Sequence, residues 1–423
     1  MKSLIKKHYH WIIAVVLFIE LAIYGGLANN GGLFLLPVTE AFGITRGTFS
    51  LAGSVRNLVS FFSLLISGVF VSRLGNRKMM LIGLGLGIAG FLISAGSSNI
   101  GFIAFANIIL GFGDGLCSTT TASRIVCDWF HRYQGAILGV TSAATGLGGS
   151  FVCLLLTGAI SGNGWRAGYL CAAILVLVAG ILVLLFIRSR PNDMDLRPYG
   201  FGYVSKKAKN KVSQDHWHGY SMKQLVRRPA FYLMLVATFL SATCIYLMFS
   251  VIVPHVQDHG LSASDASTLQ GAMLTLLAVS KVLVGILSDK LGAKPVTILC
   301  MLAAAASLWM MADVSGMADA WIILVIYGFA LTLAAVIPPL LTHTLFGYQA
   351  YSKCVGIVTA MVSLGGLVAA PISNMCFDHL GSYSPVFRTG AIISLVVTAL
   401  YLLLFLLANK DRKKMSQTEE AAE

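Results

Sequence analysis

GAMLTLLAVSKVLVGILSDKLGAKP, residues Gly271 to Pro295, reads as one membrane-crossing helix and the turn after it. It is apolar for roughly a bilayer's thickness. It carries a single lysine, Lys281, inside the apolar run, and ends in Ser288-Asp289-Lys290-Leu291-Gly292. Lys281 lies two helical turns before Asp289, about 12 Å at ~1.5 Å per residue, against a hydrocarbon core about 30 Å thick. With Asp289 at the aqueous boundary, Lys281 sits near the bilayer centre. That is farther than a lysine stem reaches by snorkelling without water. A charge at that depth is costly unless it is paired or faces water, so Lys281 marks a functional site.

Composition agrees with a membrane reading of the whole chain. Of 423 residues, 57% are hydrophobic and only 11% charged, with a mean hydropathy of +0.81. A soluble domain carries about 25% charged residues. Twelve spans are expected, at 11–36, 49–72, 79–97, 101–123, 135–159, 167–188, 230–254, 266–288, 295–312, 320–342, 354–377 and 385–408. The chain is then an all-α polytopic membrane protein. Its expected organisation is a six-helix bundle over 1–188, a cytoplasmic linker over 189–228, a second bundle over 229–408 and a polar, irregular cytoplasmic tail over 409–423. The linker is basic, with Lys206, Lys207, Lys209, Lys211, Arg227 and Arg228.

The net charge of +13 is explained by topology and excludes a nucleic-acid reading. With the N-terminus inside, 25 of the 30 Lys and Arg residues fall on cytoplasmic segments. Arg46, Arg166 and Arg388 fall outside, and Arg56 and Lys281 lie within spans. This asymmetry places both termini in the cytoplasm, with the basic segments facing anionic headgroups. Eight cysteines lie singly and read as packing residues. There is no Walker A run, no HExxH and no metal-ligand cluster, so neither enzymatic chemistry, metal nor cofactor is expected.

The halves repeat each other. Gly68-Val-Phe-Val-Ser72-Arg73-Leu74-Gly75-Asn-Arg77 follows the second span, and Gly285-Ile-Leu-Ser288-Asp289-Lys290-Leu291-Gly292-Ala-Lys294 follows the eighth, 217 positions later. Gly139 and Gly148-Gly149 in the fifth span recur at the same offset as Gly356 and Gly365-Gly366 in the eleventh. Such repeats bracket a substrate site near the midplane. The paired glycines let helices approach closely.

Twelve spans in two halves, the turn motif in both, and a long linker resemble the major facilitator superfamily. The resemblance implies a transporter with two pseudo-symmetric six-helix bundles that rock around a central site. It assigns the motif residues Gly68, Arg73, Gly75, Arg77, Asp289, Lys290 and Gly292 to gating, as clamps on neighbouring helix ends. Ser72 replaces the usual Asp in the first half, so Asp289 alone keeps the charge lock.

A narrower resemblance is to the oxalate/formate antiporter and monocarboxylate transporter group. It is carried by Gly31-Gly-Leu-Phe-Leu-Leu-Pro37-Val-Thr-Glu40-Ala-Phe42-Gly43-Ile-Thr-Arg46, by Trp129-Phe130-His-Arg132-Tyr-Gln-Gly135-Ala136, by Arg190-Pro191-Asn-Asp193-Met194-Asp-Leu196 and by Asp378-His-Leu-Gly381-Ser-Tyr383. That group has a basic residue, usually Arg, eight positions before the motif Asp, where it holds the substrate carboxylate. Here the position is Lys281. Members taking dicarboxylates add a lysine in the eleventh span, and none stands between Gly356 and Phe377. The resemblance therefore implies a secondary transporter of a small organic anion, a monocarboxylate before a dicarboxylate, working as a monomer in a bacterial plasma (inner) membrane.

Other polar residues within spans are candidates beside Lys281. Arg56 is a second anion contact or the ion-pair partner of Glu20. Glu20, at similar depth, is the proton-coupling candidate. Asp114 is assigned to interhelical structure or gating, and Arg124 is placed to pair with Asp128 one turn on. Asn29, Asn30 and Asn57 offer neutral donors to a carboxylate. Tyr24 and Tyr246 are candidate cavity-lining residues. Pro254, Pro338 and Pro371 are expected to bend their helices. Two other readings stay open: a facilitator for another small metabolite or drug, and a non-transporting carboxylate sensor signalling through the basic linker.

Overall fold

The computed structural model describes residues 2–117, 119–194, 196–200, 220–347 and 351–420. Among these there is no strand, and a single bridge joins Phe130 and Tyr199. The helices are α1 (Lys2–Asn29), α2 (Leu35–Phe42), α3 (Arg46–Leu74), α4 (Asn76–Ala95), α5 (Ile100–Leu116), α6 (Thr119–Trp129) and α7 (Gln134–Phe186). They continue as α8 (Pro229–Asp258), α9 (Ala263–Leu291), α10 (Ala293–Met311), α11 (Met317–Ala330), α12 (Ile337–Phe346), α13 (Tyr351–Leu380) and α14 (Ser384–Glu420).

Among the described residues, ten stretches are long and apolar enough to cross a membrane. One of them, Ala136–Phe186, is 51 residues long. It breaks at Gly164, whose φ of 80° no helix accommodates, and so holds the fifth and sixth spans. The second span lies on α3. Each expected span thus has α-helix within its bounds among the described residues. Large apolar side chains such as Phe151, Leu154, Ile174 and Leu406 are exposed, as lipid-facing residues must be.

Three expectations need correction. The first span ends at Asn29, not 36. Asn30-Gly31-Gly32 cannot hold helix, and a 3-10 turn (Gly31–Phe34) leads into the separate α2, which Gly43 stops in the left-handed region. The tenth span is two pieces, α11 and α12, with Pro338 and Pro339 in the first turn of the second. There their missing N–H groups cost nothing. Pro254 and Pro371, by contrast, lie inside continuous helices. The tail is not irregular, because α14 runs on to Glu420. Asn409 to Glu420 has no Gly or Pro and is rich in helix formers. Lys206, Lys207, Lys209 and Lys211 lie outside the described residues.

The repeat is visible in the backbone. Left-handed glycines stand at Gly43 and Gly260, Gly75 and Gly292, and Gly164 and Gly381, each pair 217 apart. Gly75 (φ 78°, ψ 159°) and Gly292 (φ 88°, ψ 161°) open the next helix in the same conformation. Thr45 and Ser262, again 217 apart, accept the backbone N–H of Thr48 and Asp265 at the starts of α3 and α9.

By packing, the chain divides into two units: residues 1–213 with 250–279, and residues 214–249 with 280–423. In the first, α1 packs on α7, α3 on α5, and α4 on both α5 and α7. Gly148 is where α1 and α7 meet most closely: a Cβ there would lie 2.2 Å from that of Ala22. In the second, α10 packs on α14 and α11, and α12 on α13. Gly365 holds the corresponding close approach, with Ala242 2.8 Å from where its Cβ would be.

Candidate functional site

Within the first unit, α1, α3, α5 and α7 bring polar side chains into an apolar interior. Arg56 of α3 and Asp114 of α5 form a two-bond ion pair. Arg56 Nε donates to Asp114 Oδ2 at 2.7 Å and Nη2 to Oδ1 at 2.8 Å. Their side chains are 15% and 18% exposed. The Phe91 ring lies 5.9 Å from the guanidinium carbon, and Tyr24 and Tyr169 are within its electrostatic reach. Small residues allow this approach: a Cβ at Gly111 would lie 2.6 Å from the Arg56 carbonyl oxygen, and one at Gly113 would strike the Tyr24 hydroxyl.

Glu20 is fully buried. Its Oε1 accepts a hydrogen bond from the Cys117 thiol at 2.8 Å, while Oε2 has no partner. The alternative in which Arg56 pairs with Glu20 is therefore not the observed arrangement; the partner is Asp114, from α5. Tyr24 stands one turn after Glu20 on the same face of α1. Its buried hydroxyl has Asp114 and Arg56 as charged neighbours. Cys117, read from sequence as packing, is a polar partner instead. Its spacing of three from Asp114 puts both on one helix face and was the available signal. Phe91 and Tyr169 carried no such mark.

The asparagines separate. Asn30 is buried and donates to the carbonyls of Gly26 and Gly149, tying the end of α1 to α7. Asn29 is half-buried, and its carbonyl accepts from Gln270 at 3.1 Å. Asn57 is exposed beside Arg56 on α3.

In the second unit, Lys281 is half-buried on α9, between buried Ser280 and the exposed Val282 and Leu283. Tyr246 of α8 is half-buried and packs on Gly366, with Phe249 edge-on at 5.8 Å. Lys281 and Tyr246 thus belong to one unit, and Arg56, Glu20, Asp114, Tyr24 and the asparagines to the other.

The turn motif is used unequally. Gly68 and Arg73 lie on α3, and their side chains are outside the described set. Arg77 clamps a neighbouring helix end, donating to the Leu184 carbonyl at 2.6 Å, and its backbone N–H bonds the Ser189 hydroxyl. Asp289 and Lys290 are exposed and form no ion pair among the described residues. The Asp289 charge lock is thus not engaged there. The expected Arg124–Asp128 pair is also not formed. Asp128 instead accepts from Asn76 at 3.4 Å. Arg46, Arg166 and Arg388 each hold a nearby segment, through Asp258, the Ser97 carbonyl and Asp313 respectively.

The described start of the linker is strapped to the first unit. Tyr199 exchanges backbone bonds with Trp129, His131 and Arg132. His10 shares a hydrogen bond with the Arg197 carbonyl and packs among Trp129, Phe130 and Tyr199. Trp129 Nε1 donates to the Arg188 carbonyl.

A family model described as Major Facilitator Superfamily matches residues 16–350 and 234–423, across nearly the whole chain. The chain belongs to the major facilitator superfamily. Its relatives include an uncharacterized MFS-type transporter, YcxA of Bacillus subtilis, 21% identical over 97% of this chain and 98% of that one. Monocarboxylate transporter 9 of Rattus norvegicus is 28% identical over 36% of this chain and 33% of its own. In fold the chain is similar to the nucleoside transporter NupG, with a TM-score of 0.75 and 10% identity over 94% of this chain and all of the other. Superfamily membership makes this an integral multi-pass membrane transporter and not an enzyme. At that identity the fold carries no information on substrate.

Proposed function

We propose that this transporter moves a small organic carboxylate, a monocarboxylate before a dicarboxylate, by alternating access. The observation that carries the reading is Lys281: a half-buried cation in the middle of α9, eight residues before the motif Asp289. The partial likeness to a monocarboxylate transporter supports the same class. Arg56 is engaged by Asp114, and Lys281 is the cation this reading assigns to the substrate carboxylate. A lysine offers a point charge without the two-pronged fork of Arg, which suits a single small carboxylate. Tyr246 is a candidate contact in the same unit, and Asn57 and the Asn29 side chain are candidate neutral donors in the first unit. Asn30 has a structural task already and contributes by holding α1 to α7.

Coupling is by proton symport or anion exchange. Glu20 is the proton candidate, since its carboxyl is buried and keeps one oxygen unengaged. The motif residues Gly75, Arg77, Asp289, Lys290 and Gly292 gate the helix ends, with the Asp289 lock forming in the opposite state. The linker and both termini face the cytoplasm in this reading, and the halves over 1–188 and 229–408 rock about the site.

Uptake of labelled formate, lactate, pyruvate and oxalate into proteoliposomes tests the class. Flux of a monocarboxylate well above empty vesicles is expected, with oxalate weaker. No carboxylate flux would sink the reading in favour of another small metabolite. Lys281→Gln is expected to raise KM at least tenfold for the best substrate, and an unchanged KM would remove Lys281 as the anchor.

A further inference from the structure

Tyr327 of α11 is fully buried, and its hydroxyl donates to the Ile245 carbonyl of α8 at 2.5 Å. The same oxygen accepts the backbone N–H of Phe249. Ile245 and Phe249 are four residues apart, so they are the two ends of one helical rung. The hydroxyl therefore sits across a rung of α8, an insertion of the kind that bends helices. Tyr246 follows Ile245 directly. The Ser373 hydroxyl of α13 donates to the Leu247 carbonyl at 3.4 Å. Pro254, inside the same helix, has no N–H to return to the Ser250 carbonyl. The α8 ladder is thus engaged from outside at Ile245 and Leu247 and interrupted at Ser250, on both sides of Tyr246.

We propose that Tyr327 is a positioning residue for the substrate site: its hydroxyl, set across the Ile245–Phe249 rung, holds Tyr246 in the orientation that meets the carboxylate. This rests on the reading above, in which Tyr246 is a substrate contact. Tyr327 has no exposed surface and touches no substrate itself. It acts through the backbone that carries Tyr246. The Tyr246 ring is seated separately, on Gly366, where a Cβ would lie 3.3 Å from its Cδ2, and against the edge of Phe249 at 5.8 Å. Ring and backbone are then held from different helices, α13 and α11, and Tyr327 supplies the backbone hold.

The repeat supports this assignment. At the 217-residue offset Tyr246 corresponds to Asn29, the candidate contact at the end of α1, and Pro254 corresponds to Pro37. Helices interrupted at matching positions of two halves mark a substrate site. In the first half the interruption is complete, because α1 stops at Asn29 and Asn30-Gly31-Gly32 follow. In the second half Leu247-Met248-Phe249 stand there and α8 continues. Glycines loosen the first copy, and an inserted hydroxyl loosens the second. Tyr327 itself corresponds to Leu110, which has no hydroxyl to insert. A buried hydroxyl that had merely found the nearest acceptor would affect stability alone when removed. A positioning hydroxyl affects substrate binding as well, and only through Tyr246.

The test is a double-mutant cycle on KM and turnover for labelled lactate and formate in proteoliposomes, with wild type, Tyr246→Phe, Tyr327→Phe and the double variant. Each single variant is expected to raise KM by about fivefold, the worth of one net hydrogen bond, with turnover close to wild type. The double variant is expected to match the larger single effect, because both changes remove the same contact. A double-variant KM equal to the product of the two single effects overturns the proposal. So does an unchanged KM in Tyr327→Phe with only a lower melting temperature in detergent, which makes the hydroxyl structural. A raised KM in Tyr327→Phe with none in Tyr246→Phe overturns it too, since Tyr327 would then act through another group. If Tyr327→Phe does not accumulate, the cycle is read with Tyr327→His, whose shorter side chain cannot span the rung; the same non-additivity is expected, and additivity overturns the proposal. Absence of any carboxylate flux in wild type fails the carboxylate reading and the proposal with it, whereas an additive cycle in a protein that transports carboxylate fails the proposal alone.

Discussion

The two halves share their backbone devices and differ in what they bury. The glycine turns at Gly43, Gly75 and Gly164 recur at Gly260, Gly292 and Gly381. The buried charges do not recur. At the same offset, Glu20 corresponds to Ala237, Arg56 to Met273, Asp114 to Leu331, Cys117 to Ala334 and Asn30 to Leu247. In the other direction Lys281 corresponds to Leu64. Duplication fixed the path of the chain, and the chemistry was added to each copy separately. Among the described residues, the first half carries the Arg56–Asp114 ion pair and Glu20, and the second carries Lys281. The proposed proton-coupling group and the proposed anion anchor thus stand in different copies of the repeat.

The sharpest way to break this comparison is to cut the ion pair on one side. Arg56→Gln leaves the Asp114 carboxylate in an apolar interior. Removing one partner of a buried pair costs about 3–5 kcal/mol. Removing both, in Arg56→Gln with Asp114→Asn, is expected to recover most of that loss. The measurement is the melting temperature in detergent. The second half supplies the control: Met273→Gln, at the matching position, also introduces an unpaired polar group but strands no charge. Equal losses for Arg56→Gln and for the double variant would show that the pair is not coupled in the folded protein.

Most of the fold was legible in the sequence because bilayer thickness and the repeat are both linear constraints. Twelve apolar runs had to be helices, and the offset of 217 paired Gly75 with Gly292, whose φ angles match, while the pairs Gly43–Gly260 and Gly164–Gly381 are visible only in the backbone. The ends were less legible. Asn30-Gly31-Gly32 breaks the first span, whereas Leu247-Met248-Phe249 at the matching place lets α8 run through Pro254. Three residues of local propensity decide this, and an average over a whole span hides them. The site was legible as a list of costly residues, not as a set of partners. Glu20, Arg56 and Asp114 were each visible as charges at depth. Their pairing depends on how α1, α3 and α5 are rotated about their axes, which spacing along one helix does not specify. Helix α14 beyond Asn409 shows the reverse: polar composition argued for an irregular tail, while helix propensity won.

Packing is the second point of comparison. Gly148→Ala would set a methyl 2.2 Å from the Ala22 Cβ and 2.4 Å from its Cα, so backbone must move. Gly365→Ala, its counterpart, meets Ala242 Cβ at 2.8 Å and the Thr243 nitrogen at 2.8 Å. Overpacking of this kind costs about 1–3 kcal/mol. The first-half variant is expected at the upper end and the second-half variant at the lower, measured as folded yield in membranes and melting temperature. Gly139→Ala and Gly356→Ala have no heavy atom within 4 Å of the added carbon and are expected to be neutral. A reversed order for Gly148 and Gly365 would mean that the α1–α7 contact is the more yielding of the two.

The smallest expected difference lies at the helix starts. Thr45 caps α3 by accepting the Thr48 N–H at 3.2 Å. Ser262 caps α9 reciprocally: its hydroxyl accepts the Asp265 N–H at 3.1 Å, while Asp265 Oδ2 accepts the Ser262 N–H at 3.3 Å and its hydroxyl at 2.8 Å. One orphan donor is satisfied in the first case and two in the second. Loss of a cap costs about 0.5–2 kcal/mol, and Ser262→Ala is expected nearer the top of that range than Thr45→Ala. Amide hydrogen exchange in the first turns of α3 and α9 reads this directly. Faster exchange confined to the first turn is expected in each variant, with the larger change in α9. Equal changes would reduce the second-half box to its single serine bond, and the cap would then be the same device in both copies.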